Sequence, residues 1–164
     1  MRRRDFIQGA LVGLGAMVLA PYLMAGKTFA AEVVDKLTLS NEVWKSRLTS
    51  EQYMILREEG TERPFTSALL NEHRAGVFAC VACDLPLFTA KSKFDSGTGW
   101  PSFFESIPGH LETKTDYKII VPRNEYHCAR CGGHHGHVFD DGPAPTGLRY
   151  CNNGAVLKFL PQEG

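Results

Sequence analysis

The sequence predicts a mainly β domain of antiparallel strands, and three observations carry that expectation. From Gly76 onward, short runs of Val, Phe, Tyr and Ile are broken by Gly and Pro. The connections between these runs are too short for the helical crossovers that parallel strands need, so neighbouring strands must be antiparallel. Two Cys-x-x-Cys turns, Cys80–Cys83 and Cys128–Cys131, are separated by 44 residues, against about 15–20 in a compact zinc ribbon. One metal holding all four thiolates would therefore staple two distant hairpins and be part of the fold.

Taken in order, the 164 residues open on Arg3-Arg4-Asp5-Phe6-Ile7, which resembles a twin-arginine export motif, followed by an uncharged run from Phe6 to Gly26. Small residues around Thr28-Phe29-Ala30 place a cleavage site near Ala30, so residues 1–30 read as a twin-arginine signal peptide. An uncleaved membrane anchor is the alternative, but Gly9, Gly13, Gly15 and Pro21 leave the run only moderately hydrophobic. Export by this route implies a periplasmic, folded cargo, so a thiolate site could be loaded with metal before crossing. Without residues 1–30 the chain has 14 basic and 17 acidic side chains. That balance excludes nucleic acid as a partner, since such binding needs a basic footprint. The mature form is expected to have no membrane contact and to be a monomer.

Residues 31–43 read as a polar lead-in, and the folded domain as 44–164. Thr49-Ser50-Glu51-Gln52 has the form of a capping box that opens a helix with Tyr53, Met54 and Leu56 on its apolar face. Gly60 is placed to end that helix in the left-handed conformation. Strands are expected at Val77–Ala79, Tyr117–Val121, Glu125–Cys128, His137–Phe139, Leu148–Cys151 and Ala155–Leu160.

The chemistry gathers between Cys128 and Gly154. Cys80, Cys83, Cys128 and Cys131 are the candidate zinc ligands; redox disulfides, or replacement of a thiolate by His134 or His137 in an open catalytic site, remain alternatives. Cys151 has no Cys-x-x-Cys partner. In a strand, Arg149, Cys151 and Asn153 share a face, which sets a guanidinium and an amide beside the thiol and makes Cys151 the candidate nucleophile. His134 and His137 are three apart, wrong for one face of a regular strand, but Gly132, Gly133 and Gly136 permit a bulge that aims both the same way.

The segments FDSGTGWPSF (Phe94–Phe103) and HHGHVFDDGPAPTGLRYCNNG (His134–Gly154), with the two Cys-x-x-Cys turns, resemble methionine sulfoxide reductases of the B type. The resemblance runs from about Trp44 to Phe159. It implies two antiparallel sheets closing into a barrel-like shape with a few peripheral helices, stapled by a structural zinc on the four cysteines. It further implies Cys151 as catalytic cysteine, His134, His137 and Asn153 as catalytic partners, and Trp100, Phe139, Asp141 and Arg149 as substrate-binding residues. The implied activity is reduction of the R epimer of methionine sulfoxide in proteins or peptides, with a thioredoxin-like or other thiol as reductant. An inactive module that binds oxidised or unfolded proteins, and a zinc hydrolase using the histidines, are the competing readings. Four positions depart from the usual family pattern: His135 and Asn152 stand where it has aliphatic residues, Gly154 where serine is common, and Thr98 where many members have a resolving cysteine.

Overall fold

The computed structural model describes residues 34–117 and 122–162. The expected export signal lies outside them, as does the strand expected at 117–121 apart from Tyr117. Two antiparallel sheets form the body. The first has the order β2 (Pro86–Thr89), β1 (Gly76–Cys80), β9 (Leu157–Pro161). The second has the order β3 (Lys93–Phe94), β4 (Ser102–Phe103), β8 (Arg149–Asn152), β7 (His134–Phe139), β6 (Arg123–Cys128), β5 (Leu111–Asp116). Among the described residues the larger sheet stays open, with β3 and β5 at its edges. No described helix is long and apolar enough to cross a membrane.

An aromatic layer joins the sheets. Phe88 of β2 stacks on Phe103 of β4 at 4.2 Å between ring centroids, and Phe78 of β1 meets Phe103 edge-on at 5.0 Å. Tyr126 and Tyr150 extend the layer with a T-shaped contact at 5.4 Å. Such offset and edge-to-face pairs add to the burial energy of rings this size. Because Phe103 pairs with Tyr150 in the β4–β8 register, this core fixes the strand that carries Cys151.

Two helices cover one side. α1 (Asn41–Arg47) is capped by Ser40 and buries Trp44, and Val34, Leu37 and Leu39 pack against the core. Residues 34–43 of the segment read as a polar lead-in thus pack on the folded body, their apolar residues spaced too sparsely to announce themselves. α2 (Ser50–Glu58) has the expected capping box: the Gln52 amide donates to Thr49 Oγ1 at 3.2 Å, and the Thr49 amide donates to Gln52 Oε1 at 3.1 Å. Its buried residues are Ile55 and Leu56, while Met54 faces outward. The left-handed residue that ends it is Glu59, at φ 55°, one position before the expected Gly60. Glu59 also forms an ion pair with Lys114 of β5.

The two aliphatic-to-polar departures prove to be one buried pair. His135 and Asn152 are fully enclosed, with His135 Nδ1 3.4 Å from Asn152 Oδ1. His135 Nε2 and Asn152 Nδ2 have no partner, and burial pushes the His135 pKa down to about 3. Removing one member strands the other, whereas replacing both removes two orphaned groups. His135→Leu combined with Asn152→Val is therefore expected to raise stability by about 1–3 kcal/mol, and either single change to lower it. Urea unfolding of the three variants checks the sign.

Candidate active site

Strand register assembles the site. Cys151 on β8 pairs with Ser102 of β4 on one side and His137 of β7 on the other, in the middle of the larger sheet. Gly136 makes this possible: a Cβ there would lie 1.9 Å from the Cys151 carbonyl oxygen, so only glycine lets the strands approach. The β6–β7 register shifts between Tyr126 and His127, which face Gly136 and His134, leaving His135 as the extra residue of a bulge. This is the device the glycines around the histidines suggested. It brings the His134 and His137 rings to a T-shaped contact at 5.5 Å.

The two histidines nevertheless face different surroundings. His137 lines the Cys151 cleft, and its Nε2 lies 2.9 Å from Asp116 Oδ2, a carboxylate that also accepts from Arg123 at 2.6 Å. His134 is buried beneath α2, with Nδ1 2.7 Å from Glu125 Oε1, and borders a separate opening with Arg57 and Lys114. Burial pushes its pKa down, opposed by Glu125. Of the two, His137 is the one that lines the Cys151 cleft.

Trp100, Phe139, Thr61 and Asn153 wall the same cleft around Cys151. Trp100 enters from a loop in which Gly99 holds φ 89°, and its Nε1–H donates to the Glu62 carbonyl at 3.2 Å. The Phe139–Arg149 pair in the β7–β8 register sets the guanidinium 4.3 Å from the Phe139 ring centroid. Arg149 also makes a two-pronged bond to Asp141 at 2.7 and 2.8 Å. Asp141 thus holds the arginine beside the thiol while its own charge disfavours the thiolate, and it stands at the edge of a second groove containing Asp95 and Thr98. Asn153 uses both ends of its amide on the backbone: Oδ1 accepts from Glu62 N and Nδ2 donates to the His135 carbonyl, each at 2.9 Å. Gly154 does not loosen the chain beside the nucleophile. Its N–H is held by Glu62 Oε1 at 2.6 Å, and a Cβ there would strike Ser67 Oγ at 1.9 Å.

Burial pushes the Cys151 thiol up, while the Arg149 charge and hydrogen bonds from Thr98 and Arg149 pull it down. Burial wins, the reverse of what the neighbouring arginine alone suggested. Alkylation of Cys151 by iodoacetamide should follow the thiolate fraction, with a midpoint above that of an ordinary thiol. Thr98→Val should move the midpoint higher still, because it removes a group that favours the charged form. A rate-against-pH profile of both proteins checks the direction.

The four remaining cysteines meet in one place. Cys80 ends β1, Cys128 ends β6, and Cys83 and Cys131 lie in the turns that follow. Cys80 Sγ is 3.7 Å from Cys131 Sγ, Cys83 Sγ is 3.4 Å from Cys128 Sγ, and all four sulfurs lie within 4.8 Å of one another. Thiolates at about 2.3 Å from a tetrahedral zinc would be about 3.8 Å apart, so the set fits that ion. The turns match: Asp84 and Gly132, each four residues after the first cysteine, take φ 64° and 65°. Arg130 donates to the Cys83 carbonyl at 3.1 Å and Arg57 to the Cys131 carbonyl at 2.9 Å, tying each turn from outside.

The sequence had not pointed to Asp116, Arg123, Glu125 or Glu62. The contacts by which they reach the site span 7 to 93 positions, so no local pattern could reveal them.

Comparison with known proteins agrees with this arrangement. The SelR domain family model matches residues 48–161. Peptide methionine sulfoxide reductase B1, chloroplastic, from Arabidopsis thaliana is 55% identical over 134 residues, covering 81% of this chain and 66% of that protein. Peptide methionine sulfoxide reductase MsrB of Agrobacterium fabrum is 53% identical over 127 residues, covering 77% of this chain and 94% of the relative. The Pseudomonas putida MsrB is 49% identical over 134 residues, covering 80% and 99%. With the four-cysteine cluster, the two antiparallel sheets and these relatives in agreement, the chain belongs to the SelR-domain family, that of the MsrB oxidoreductases.

Proposed function

We propose that this protein reduces the R epimer of methionine sulfoxide in exported proteins or peptides, drawing electrons from an external thiol. The observation that carries the reading is a lone cysteine opening into a cleft walled by Trp100 and Phe139, with His137 paired to it across the sheet. A sulfoxide bound there has its methyl group against the indole and its sulfur facing the Cys151 thiol. Asp116 fixes the His137 ring through Nε2, leaving Nδ1 to take the thiol proton and hand it to the sulfoxide oxygen. The oxygen passes to Cys151 as sulfenic acid and the sulfide leaves, so atoms and electrons balance within the pair. A first external thiol then displaces water from the sulfenic acid to give a mixed disulfide. A second releases the Cys151 thiol and leaves as the oxidised disulfide.

Thr98, in hydrogen-bond contact with Cys151, supports this one-cysteine cycle, because the other four cysteines are gathered in the metal cluster. Zinc on Cys80, Cys83, Cys128 and Cys131 would supply cross-linking, and takes no part in the reaction. The hydrolase reading loses ground, since His134 and His137 bond to carboxylates and neither joins the sulfur cluster. The Arg-Arg-Asp-Phe-Ile motif supports a periplasmic site of action. Epimer-resolved turnover of a methionine sulfoxide peptide tests the proposal: loss of the R epimer with the S epimer untouched is expected. Binding without turnover under any thiol, or turnover of S alone, would sink it.

A further inference from the structure

One buried residue binds both walls of the cleft without lining it, through its carboxylate on one side and its backbone carbonyl on the other. Glu62, in the loop after α2, is 5% exposed, and every polar group it offers is used on the site. Its carboxylate accepts from the Gly154 amide at 2.6 Å through Oε1 and from the Ala155 amide at 2.8 Å through Oε2, gripping the chain just beyond the nucleophile strand. Its own N–H donates to Asn153 Oδ1 at 2.9 Å, and its carbonyl accepts from Trp100 Nε1 at 3.2 Å. Three residues on, the Phe65 amide donates to the Gly99 carbonyl at 2.7 Å, and the Phe65 ring lies against Gly99. The strap from Glu62 to Phe65 is thus bonded to the Trp100 loop at two points and to the segment just after β8 at three.

A buried carboxylate is a costly way to join two segments, because ionisation in a low-dielectric site must be offset by hydrogen bonds. Burial pushes the Glu62 pKa up, with the Gly154 and Ala155 amides opposing. Apart from its burial, the Cys151 thiol answers to Arg149, Thr98 and Asp141 and to its pairing with Ser102 and His137, and none of these residues bonds to Glu62. On that division of contacts, and resting on the reductase reading above, we infer that Glu62 is a positioning residue that sets the distance between the Trp100 wall and the nucleophile strand. It governs how well the sulfoxide is seated, and leaves the reactivity of the thiol to others.

The variant Glu62→Gln puts an NH₂ group where one backbone amide now donates, so one of the two carboxylate bonds is lost. Peptide sulfoxide reduction should fall about tenfold to hundredfold in kcat/KM, chiefly as a rise in KM, the scale of loss that a small misplacement of reacting groups produces. The zinc content should match the parent, and the pH midpoint of Cys151 alkylation should not rise, because Arg149 and Thr98, which favour the thiolate, are untouched. Sites competent for one turnover are counted by the sulfide released without reductant, so KM is read only for folded enzyme. A role in stability alone would lower that count and leave KM unchanged, which would overturn the inference. If the glutamine variant does not fold, Glu62→Asp keeps the charge but is a methylene too short, and the same KM criterion applies to it. An inactive parent would defeat the reductase reading itself, whereas an active parent with unchanged KM in both variants would defeat only the role of Glu62.

Discussion

Cys151→Ser is expected to abolish sulfoxide reduction, a fall of about 10⁴-fold or more of the kind seen when an enzyme loses its nucleophile. The exchange replaces a polarisable sulfur, which can attack a sulfur centre and carry its oxygen, with a hydroxyl that does neither. It changes little else. Cys151 lies outside the sulfur cluster, held by Arg149 and Thr98, so zinc content should be unchanged and stability should move by about 1 kcal/mol. Sulfide release and a urea titration on one preparation separate the two effects. The parent enzyme, given one equivalent of sulfoxide and no reductant, should be marked by dimedone at Cys151. A disulfide between Cys151 and any of the four clustered cysteines, with zinc released, would refute the one-cysteine cycle.

The second large effect is at the sulfur cluster. Cys128→Ala, or a strong chelator acting on the parent, is expected to unfold the domain. A structural zinc on thiolates contributes on the order of 10 kcal/mol, comparable with the whole stability of a domain, about 5–15 kcal/mol. The loss should be global, because the cluster joins the β1–β2 hairpin of one sheet to the β6–β7 hairpin of the other. β7 also carries His137, so activity and far-UV circular dichroism should fall together as zinc leaves. A protein that kept its fold and activity without metal would show that the aromatic layer alone holds the sheets together.

What could be read from the sequence was what is local. The Thr49–Gln52 capping box, the paired cysteine turns and the bulge among the glycines near His135 each depend on residues a few positions apart, and each is present in the structure. β5 escaped notice because Leu111–Asp116 exposes four successive residues and offers no apolar alternation. α1 escaped because Trp44 is the one residue it buries. The division of the histidines was beyond reach for another reason. His134 and His137 differ by which carboxylate they meet, Glu125 or Asp116, and those arrive on other strands. The thiol followed the same pattern: Arg149 beside Cys151 was visible, but the burial that outweighs it is a property of the closed cleft.

The place of β8 has a consequence for how the molecule is made. β8 lies between β4 and β7, and β9, which follows it, completes the smaller sheet against β1. A chain leaving the ribosome therefore presents both cysteine turns before either sheet can be finished, and the strand with the reactive thiol slots into its centre late. Folding during synthesis would gather metal first and create a reactive centre afterwards. Throughout that interval Cys151 is an ordinary thiol on an unpaired segment, without the neighbours that make it a reagent. A stalled or shortened nascent chain would thus carry a metal clamp but no reductase chemistry.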